Sequence, residues 1–196
     1  MSKQVAGIVL AAGSSSRFGS PKQLLPWKET TVLNSVVNTA IETGLSPVIV
    51  VLGANADLIE PVLPDGCIVV TNEMWSSGQS SSIWVGLSKL PEEIHGVLVM
   101  LGDQPQINQV FCDCIVQRGI GNGKITIPYV NDRRANPVFF PKNTLNRLGQ
   151  VTGDKGGRGI FSEFQVELLP WLDDCMARDI DTPEDYEKLK ACYTSE

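Results

Sequence analysis

Five stretches of strand length recur along the chain in which nearly every position is apolar: VAGIVLA from Val5, SPVIVVLG from Ser46, CIVVTN from Cys67, GVLVMLGD from Gly96 and KITIPYV from Lys124. They are rich in Val and Ile and do not alternate with polar residues, so each reads as a strand covered on both faces, the mark of a parallel sheet. Between them the periodicity turns helical. In TVLNSVVNTAIETG, residues Val32, Leu33, Val36, Val37 and Ile41 fall on one face, and Gly44 is placed to end the helix. SSSIWVGLSKL and QVFCDCIVQRG are further helix candidates. Strand alternating with helix predicts right-handed crossovers and helices on both faces of the sheet, an α/β architecture.

Beyond Asp132 the pattern is less regular, running through RRANPVFFPK, LGQVTGDKGGRGIF and VELLPW to TPEDYEKLKAC. That last segment opens with Thr182 as an N-cap, Pro183 suited to a first turn and Glu184 favoured by the helix dipole, which predicts a short closing helix. No repeat, low-complexity tract or linker interrupts the 196 residues, so a single domain over residues 1–196 is expected.

Composition adds exclusions. With 42% hydrophobic and 19% charged residues the chain is an ordinary soluble globule. A net charge of −6 argues against nucleic acid or an anionic membrane as partner. The apolar stretch near the N-terminus is too short to span a bilayer, and a cytoplasmic location is expected. Five scattered cysteines, an odd number, are expected to be reduced thiols. Cys112 and Cys114 lack a matching Cys or His cluster, His95 being the one histidine, so they read as structural. His95 has no local partner of the kind a general base requires and reads as structural too.

Chemistry is concentrated where the first strand empties into LAAGSSSRFGSPKQLL. In an open parallel sheet ligands gather at the carboxyl ends of the strands. Gly13 and the following serines let backbone N–H groups turn inward as an anion cradle, and Arg17 and Lys22 add positive charge in an otherwise acidic chain. The combination suits a polyphosphate. It matches neither G-x-G-x-x-G nor G-x-x-x-x-G-K-[ST], and a flexible surface loop carrying two cations has the same composition. At the end of GVLVMLGD, Asp103 places a carboxylate at the same edge, where it serves either as a ligand for Mg2+ or as a turn or N-cap residue.

LAAGSSSRFGSPKQLL resembles the signature L-A-A-G-x-S-x-R-M/F-G-x-x-K of the MobA-like nucleotidyltransferases, most closely those that act as molybdenum cofactor cytidylyltransferases. The resemblance extends to GDQP at Gly102, to Asn72, Trp75, Gly78, Ser81, Ser82, Ile83 and Gly86 of the stretch after the third strand, and to RRANPVFFP, TGDKGGRG and the closing DIDTPED. It implies a Rossmann-like three-layer α/β/α nucleotidyltransferase fold with a mostly parallel sheet. It also implies that Leu10, Ala11, Ala12, Gly13, Ser14, Ser15, Arg17, Gly19 and Lys22 hold the triphosphate, with Arg17, Lys22 and Asp103 as the catalytic set. Asn72, Gly78, Ser81 and Ser82 would complete the nucleotide site; Asn136, Gly153, Asp154, Lys155 and Arg158 would face the acceptor. Mg2+ would sit on Asp103 and Asp181, with Asp179 the alternative second ligand. Ala135 stands where the family usually has Gly, a departure on the acceptor side.

The expected reaction is transfer of a nucleoside monophosphate from a triphosphate, CTP first, to a phosphate-bearing acceptor, molybdopterin first, with release of pyrophosphate. GTP with the same acceptor, or cytidylyl or uridylyl transfer to a sugar or polyol phosphate, are the alternatives within the class. A non-catalytic carrier that delivers the pterin cofactor to a molybdenum enzyme is the alternative outside it. Joint presence of Arg17, Lys22, Asp103 and Asp181 favours chemistry.

Overall fold

The computed structural model describes residues 4–193. Its strands are β1 (Val5–Ala11), β2 (Pro26–Trp27), β3 (Thr30–Thr31), β4 (Val48–Leu52), β5 (Cys67–Thr71), β6 (Gly96–Leu101), β7 (Ile125–Val130), β8 (Arg133–Arg134), β9 (Val138–Pro141) and β10 (Val166–Pro170). The α-helices are α1 (Val32–Glu42), α2 (Ala56–Ile59), α3 (Gln79–Leu87), α4 (Gln109–Asn122), α5 (Lys142–Leu148) and α6 (Pro183–Tyr193). All five apolar stretches are strands, but β5, at the edge of the main sheet, is not covered on both faces as expected: none of its residues is buried, and Ile68 and Thr71 are exposed. Helix α1 ends as its sequence requires: Gly44 adopts φ +71°, its N–H donates to Ile41 O, and the Leu45 N–H donates to Ala40 O, closing a Schellman cap. Helix α6 opens on a capping box in which the Thr182 hydroxyl accepts from the Asp185 N–H and the Asp185 carboxylate accepts from the Thr182 N–H.

The main sheet has eight strands in the order β5-β4-β1-β6-β9-β7-β10, with β8 paired to β7. Strands β5, β4, β1 and β6 run parallel, and β10 is parallel to β7. The segment that looks irregular in sequence contains an exception: β9 runs antiparallel to both β6 and β7. Its four residues are all buried, so a single short run of VFFP carries no alternation by which direction is legible.

Strand β1 shows why the apolar runs are continuous. Val5, Val9 and Ala11 pack with α1 and α4 on one face, while Ala6, Ile8 and Leu10 pack with α3 and α5 on the other. The chain leaves β1 toward β4 and β5 and then returns to β6 on the opposite side. This makes the gap between the carboxyl ends of β1 and β6 a switch point, the place where an open α/β sheet leaves a crevice. His95 lies at the far end of that sheet, just before β6, with its N–H on Gln4 O.

A third, smaller apolar cluster closes the crevice from the C-terminal side. Ile180, Tyr186 and Leu189 pack on Trp27 and Val32, and the Tyr186 hydroxyl donates to Pro26 O. The Ile180 N–H also donates to Asp103 O at 3.2 Å. The last segment is thereby fastened to the end of β6. Truncating the fully buried Ile180 to Ala is expected to cost about 2–5 kcal/mol, read as a lower urea midpoint with an unchanged slope.

Candidate active site

The loop after β1 is shaped from inside by a residue that sequence inspection did not single out. Gln23 is 2% exposed; its amide donates to Ala11 O and Gly13 O, each at 3.2 Å, and its carbonyl accepts from the Ser15 hydroxyl at 3.0 Å. The Ser15 oxygen in turn accepts from the Lys22 N–H. Ser15 takes φ +54° and Gly19 φ +74°, left-handed conformations that fold the loop back on itself. A glutamine set between Lys22 and two leucines was the available signal, because a buried amide is costly unless its polar atoms find partners.

At the mouth of this loop Lys22 reaches across the crevice. Its ammonium donates to Asp103 Oδ2 at 2.6 Å, to Ile180 O at 2.7 Å and to Asp181 Oδ1 at 3.3 Å. Arg17, largely exposed, lies 3.3 Å from the other oxygen of Asp181. Burial by itself would lower the Lys22 pKa; the charges and hydrogen bonds of Asp103 and Asp181 outweigh it, and the group is held above its ordinary value. Asp179 completes the cluster. Its carboxyl is pushed up to about 6, by desolvation first and then by the like charges of Asp103 and Asp181.

Three carboxylates thus face two cations, and Asp103 Oδ1 is buried with no hydrogen-bond partner. A hard carboxylate oxygen, buried and without a partner, fits a divalent cation. Among the described residues no group of three or more His, Cys, Asp or Glu side chains is arranged to hold a metal by itself. Further oxygens would have to come from substrate or water, the way Mg2+ is usually held.

Two cavities adjoin at the carboxyl edge, sharing Leu10, Gln79 and Leu101 as walls. The first, about 360 Å³, is bounded by Ala11, Ala12, Gly13, Lys22, Trp75, Gly78, Ser82 and Asp103. The second, about 250 Å³, is bounded by Arg134, Asn136, Phe140, Arg158, Phe161 and Asp179. The Arg134 guanidinium stands 5.4 Å over the Phe161 ring. Arg134 is an addition to the residues expected from sequence.

Other expected residues are placed differently. Asn72 is buried and turned from the first cavity: its amide donates to the Ser81 and Ser82 hydroxyls, and its carbonyl accepts from the Met74 N–H. Its polar groups hold the turn before α3 together, and Ser81 lies with Asn72 and Gly153 on a separate cavity. Asp154, expected on the acceptor side, lines the first cavity, and Lys155 is exposed. Ser14 is exposed, and the Ser15 hydroxyl is engaged within the loop. Buried Gln106, also unanticipated, donates to Cys175 O and Arg178 O and so steadies the segment that carries Asp179 and Asp181. Cys112 is buried in α4, its thiol pushed up to about 12 by burial, while Cys114 is exposed, so the two do not share a face.

Residues 7–168 match the MobA-like NTP transferase domain. A nicotine blue oxidoreductase of Paenarthrobacter nicotinovorans is 30% identical, over 94% of this chain and 96% of that protein. The molybdenum cofactor cytidylyltransferase of Escherichia coli is 26% identical, over 95% and 96%. The crystal structure of Rv0371c from Mycobacterium tuberculosis superposes with a TM-score of 0.87 and 33% identity, covering 96% of this chain and 98% of that one; its complex with manganese superposes with a TM-score of 0.83. Among the described residues no helix is long and apolar enough to cross a membrane.

Replacing Gln23 by Leu leaves the Ala11 and Gly13 carbonyls and the Ser15 hydroxyl without their buried partner. The expected loss is about 1–3 kcal/mol of unfolding free energy, measured by urea titration.

Proposed function

The chain belongs to the MobA-like NTP transferase family of nucleotidyltransferases, and on that premise we propose that it moves CMP from CTP onto a phosphate-bearing acceptor, molybdopterin, and releases pyrophosphate. The observation that carries this reading is the convergence of Asp181 with Lys22 and Asp103, the latter two on the wall of the first cavity, next to a second cavity that shares Leu10, Gln79 and Leu101 with it. One cavity has the loop amides and Lys22 for a triphosphate; the other has Arg134, Asn136 and Arg158 for an anionic acceptor. The name of the Escherichia coli relative, a molybdenum cofactor cytidylyltransferase, supports cytidine as the nucleoside and an acceptor from molybdenum cofactor chemistry.

In this reading Gly13, the loop amides, Arg17 and Lys22 hold the β- and γ-phosphates, where charge builds as pyrophosphate departs. Arg158 and Arg134 orient the acceptor phosphate so that its oxygen faces the α-phosphorus. A new oxygen–phosphorus bond forms there as the bond to the α,β-bridging oxygen breaks, and the electron pair leaves with pyrophosphate. No side-chain base is needed, because a phosphomonoester is already ionised near neutral pH. Asp103 and Asp181 would hold Mg2+, which when bound neutralises charge on the reacting phosphates; the manganese complex of the Mycobacterium tuberculosis neighbour supports a divalent cation in this fold.

The alternatives differ in what they bind. Guanylyl transfer keeps the mechanism with GTP, and transfer to a sugar or polyol phosphate changes only the acceptor. A cofactor carrier would bind pterin and no triphosphate. An oxidoreductase, as the Paenarthrobacter relative is named, would require a redox cofactor, and the loop Gly13-Ser-Ser-Ser-Arg-Phe-Gly19 lacks the dinucleotide G-x-G-x-x-G spacing.

Calorimetric titration with CTP, GTP, UTP, ATP and NADPH, each with and without Mg2+, separates them. Magnesium-dependent binding of CTP is the expected result; GTP preference reassigns the nucleotide, and absence of any triphosphate binding rejects the transferase reading. Lys22→Ala and Asp103→Ala are each expected to lower pyrophosphate release from CTP plus molybdopterin by about a hundredfold or more, with circular dichroism unchanged.

A further inference from the structure

The Lys22 ammonium carries three N–H donors, and the structure engages all three: Asp103 Oδ2, Ile180 O and Asp181 Oδ1. No donor remains for a phosphate. The oxygens it occupies are two carboxylates and a backbone carbonyl, the donor set a hard divalent cation takes. One cage of oxygens therefore faces two claimants, and like charges do not share a site of this size.

We propose that Lys22 is the resident counter-ion of the cation site, and that it exchanges between two stations. With the crevice empty, its ammonium fills the cage and neutralises Asp103 and Asp181. When a divalent cation and a triphosphate arrive together, Lys22 leaves the cage and its freed donors turn to the phosphates. The inference rests on the metal-dependent transferase reading and goes beyond it, because it fixes the linkage between the ligands. A cation alone must displace the ammonium without giving it a new partner, so it binds weakly. A triphosphate supplies that partner, so each ligand strengthens the other by the same factor.

Arg17 provides the contrast. It carries the same charge and meets the same Asp181, but from outside the cage and with its side chain largely exposed. Removing Arg17 deletes a charge; removing Lys22 vacates the site.

Mn2+ binding to the full-length protein, followed by the electron paramagnetic resonance signal of free Mn2+ without nucleotide, tests this. Lys22→Met and Lys22→Gln are each expected to bind Mn2+ at least about tenfold more tightly than the unaltered protein, and Arg17→Gln less than about threefold more tightly. Equal gains for the Lys22 and Arg17 variants, or no gain for the Lys22 variants, overturn the exchange. A second measurement needs no variant: acetylation of Lys22 by a water-soluble acylating reagent, read by mass spectrometry, should rise at saturating Mn2+ alone and fall again when CTP is added. Unchanged labelling at saturating Mn2+ overturns the proposal. If Mn2+ fails to bind any of these proteins even with CTP, the metal-dependent reading falls with it; if Mn2+ and CTP bind together but the Lys22 variants gain nothing, only the exchange is lost.

Discussion

The contact of the Lys22 ammonium with Asp103, Asp181 and the Ile180 carbonyl is the constraint around which the rest of the molecule is arranged. It joins residues 81, 158 and 159 positions apart in the chain. Each partner depends on a different level of the fold. Lys22 depends on a loop held by Gln23, Asp103 on the pairing of β1 with β6, and Asp181 on the packing of Ile180 against Trp27 and Tyr186. A partly buried ion pair contributes little net stability once desolvation is counted. Its arrangement is explained better by what it makes available: a cluster of charged oxygens that a polyphosphate and a cation can rearrange.

The chain is acidic overall, yet the mouth of the crevice gathers Arg17 and Lys22, with Arg134 and Arg158 on the adjoining cavity. Local charge, backbone amides and a desolvated carboxylate decide what such a pocket attracts, whereas net charge governs only long-range encounter. The Asp179 carboxyl is raised to about 6, by desolvation first and then by the like charges of Asp103 and Asp181.

Much of this was legible in the sequence, and the parts that were not have identifiable reasons. The strands announced themselves by unbroken runs of Val and Ile, although the run in β5 proved to be a half-exposed edge, and Gly44, Thr182 and Pro183 marked helix ends by mechanisms confined to a few neighbouring residues. The motif residues Lys22, Asp103 and Asp181 do meet. The direction of β9 was not legible, because a short strand buried throughout looks the same in either orientation. Nor were Gln23 and Gln106, whose importance comes from burial and from carbonyls that the fold alone brings near. Asn72 shows a related ambiguity: its side chain fastens the turn before α3, and a polar residue in a site motif is as useful for fastening a turn as for meeting a ligand.

The most direct test of the exchange at Lys22 is a crystal structure with Mn2+ and a CTP analogue whose α,β-bridging oxygen is replaced by methylene, with the cation located by anomalous scattering. The expected result is a manganese peak between Asp103 and Asp181, the triphosphate along the Gly13 loop and the Lys22 ammonium on its phosphates. A peak elsewhere, or a nucleotide bound with Lys22 still held by Asp103 and Asp181, would contradict it.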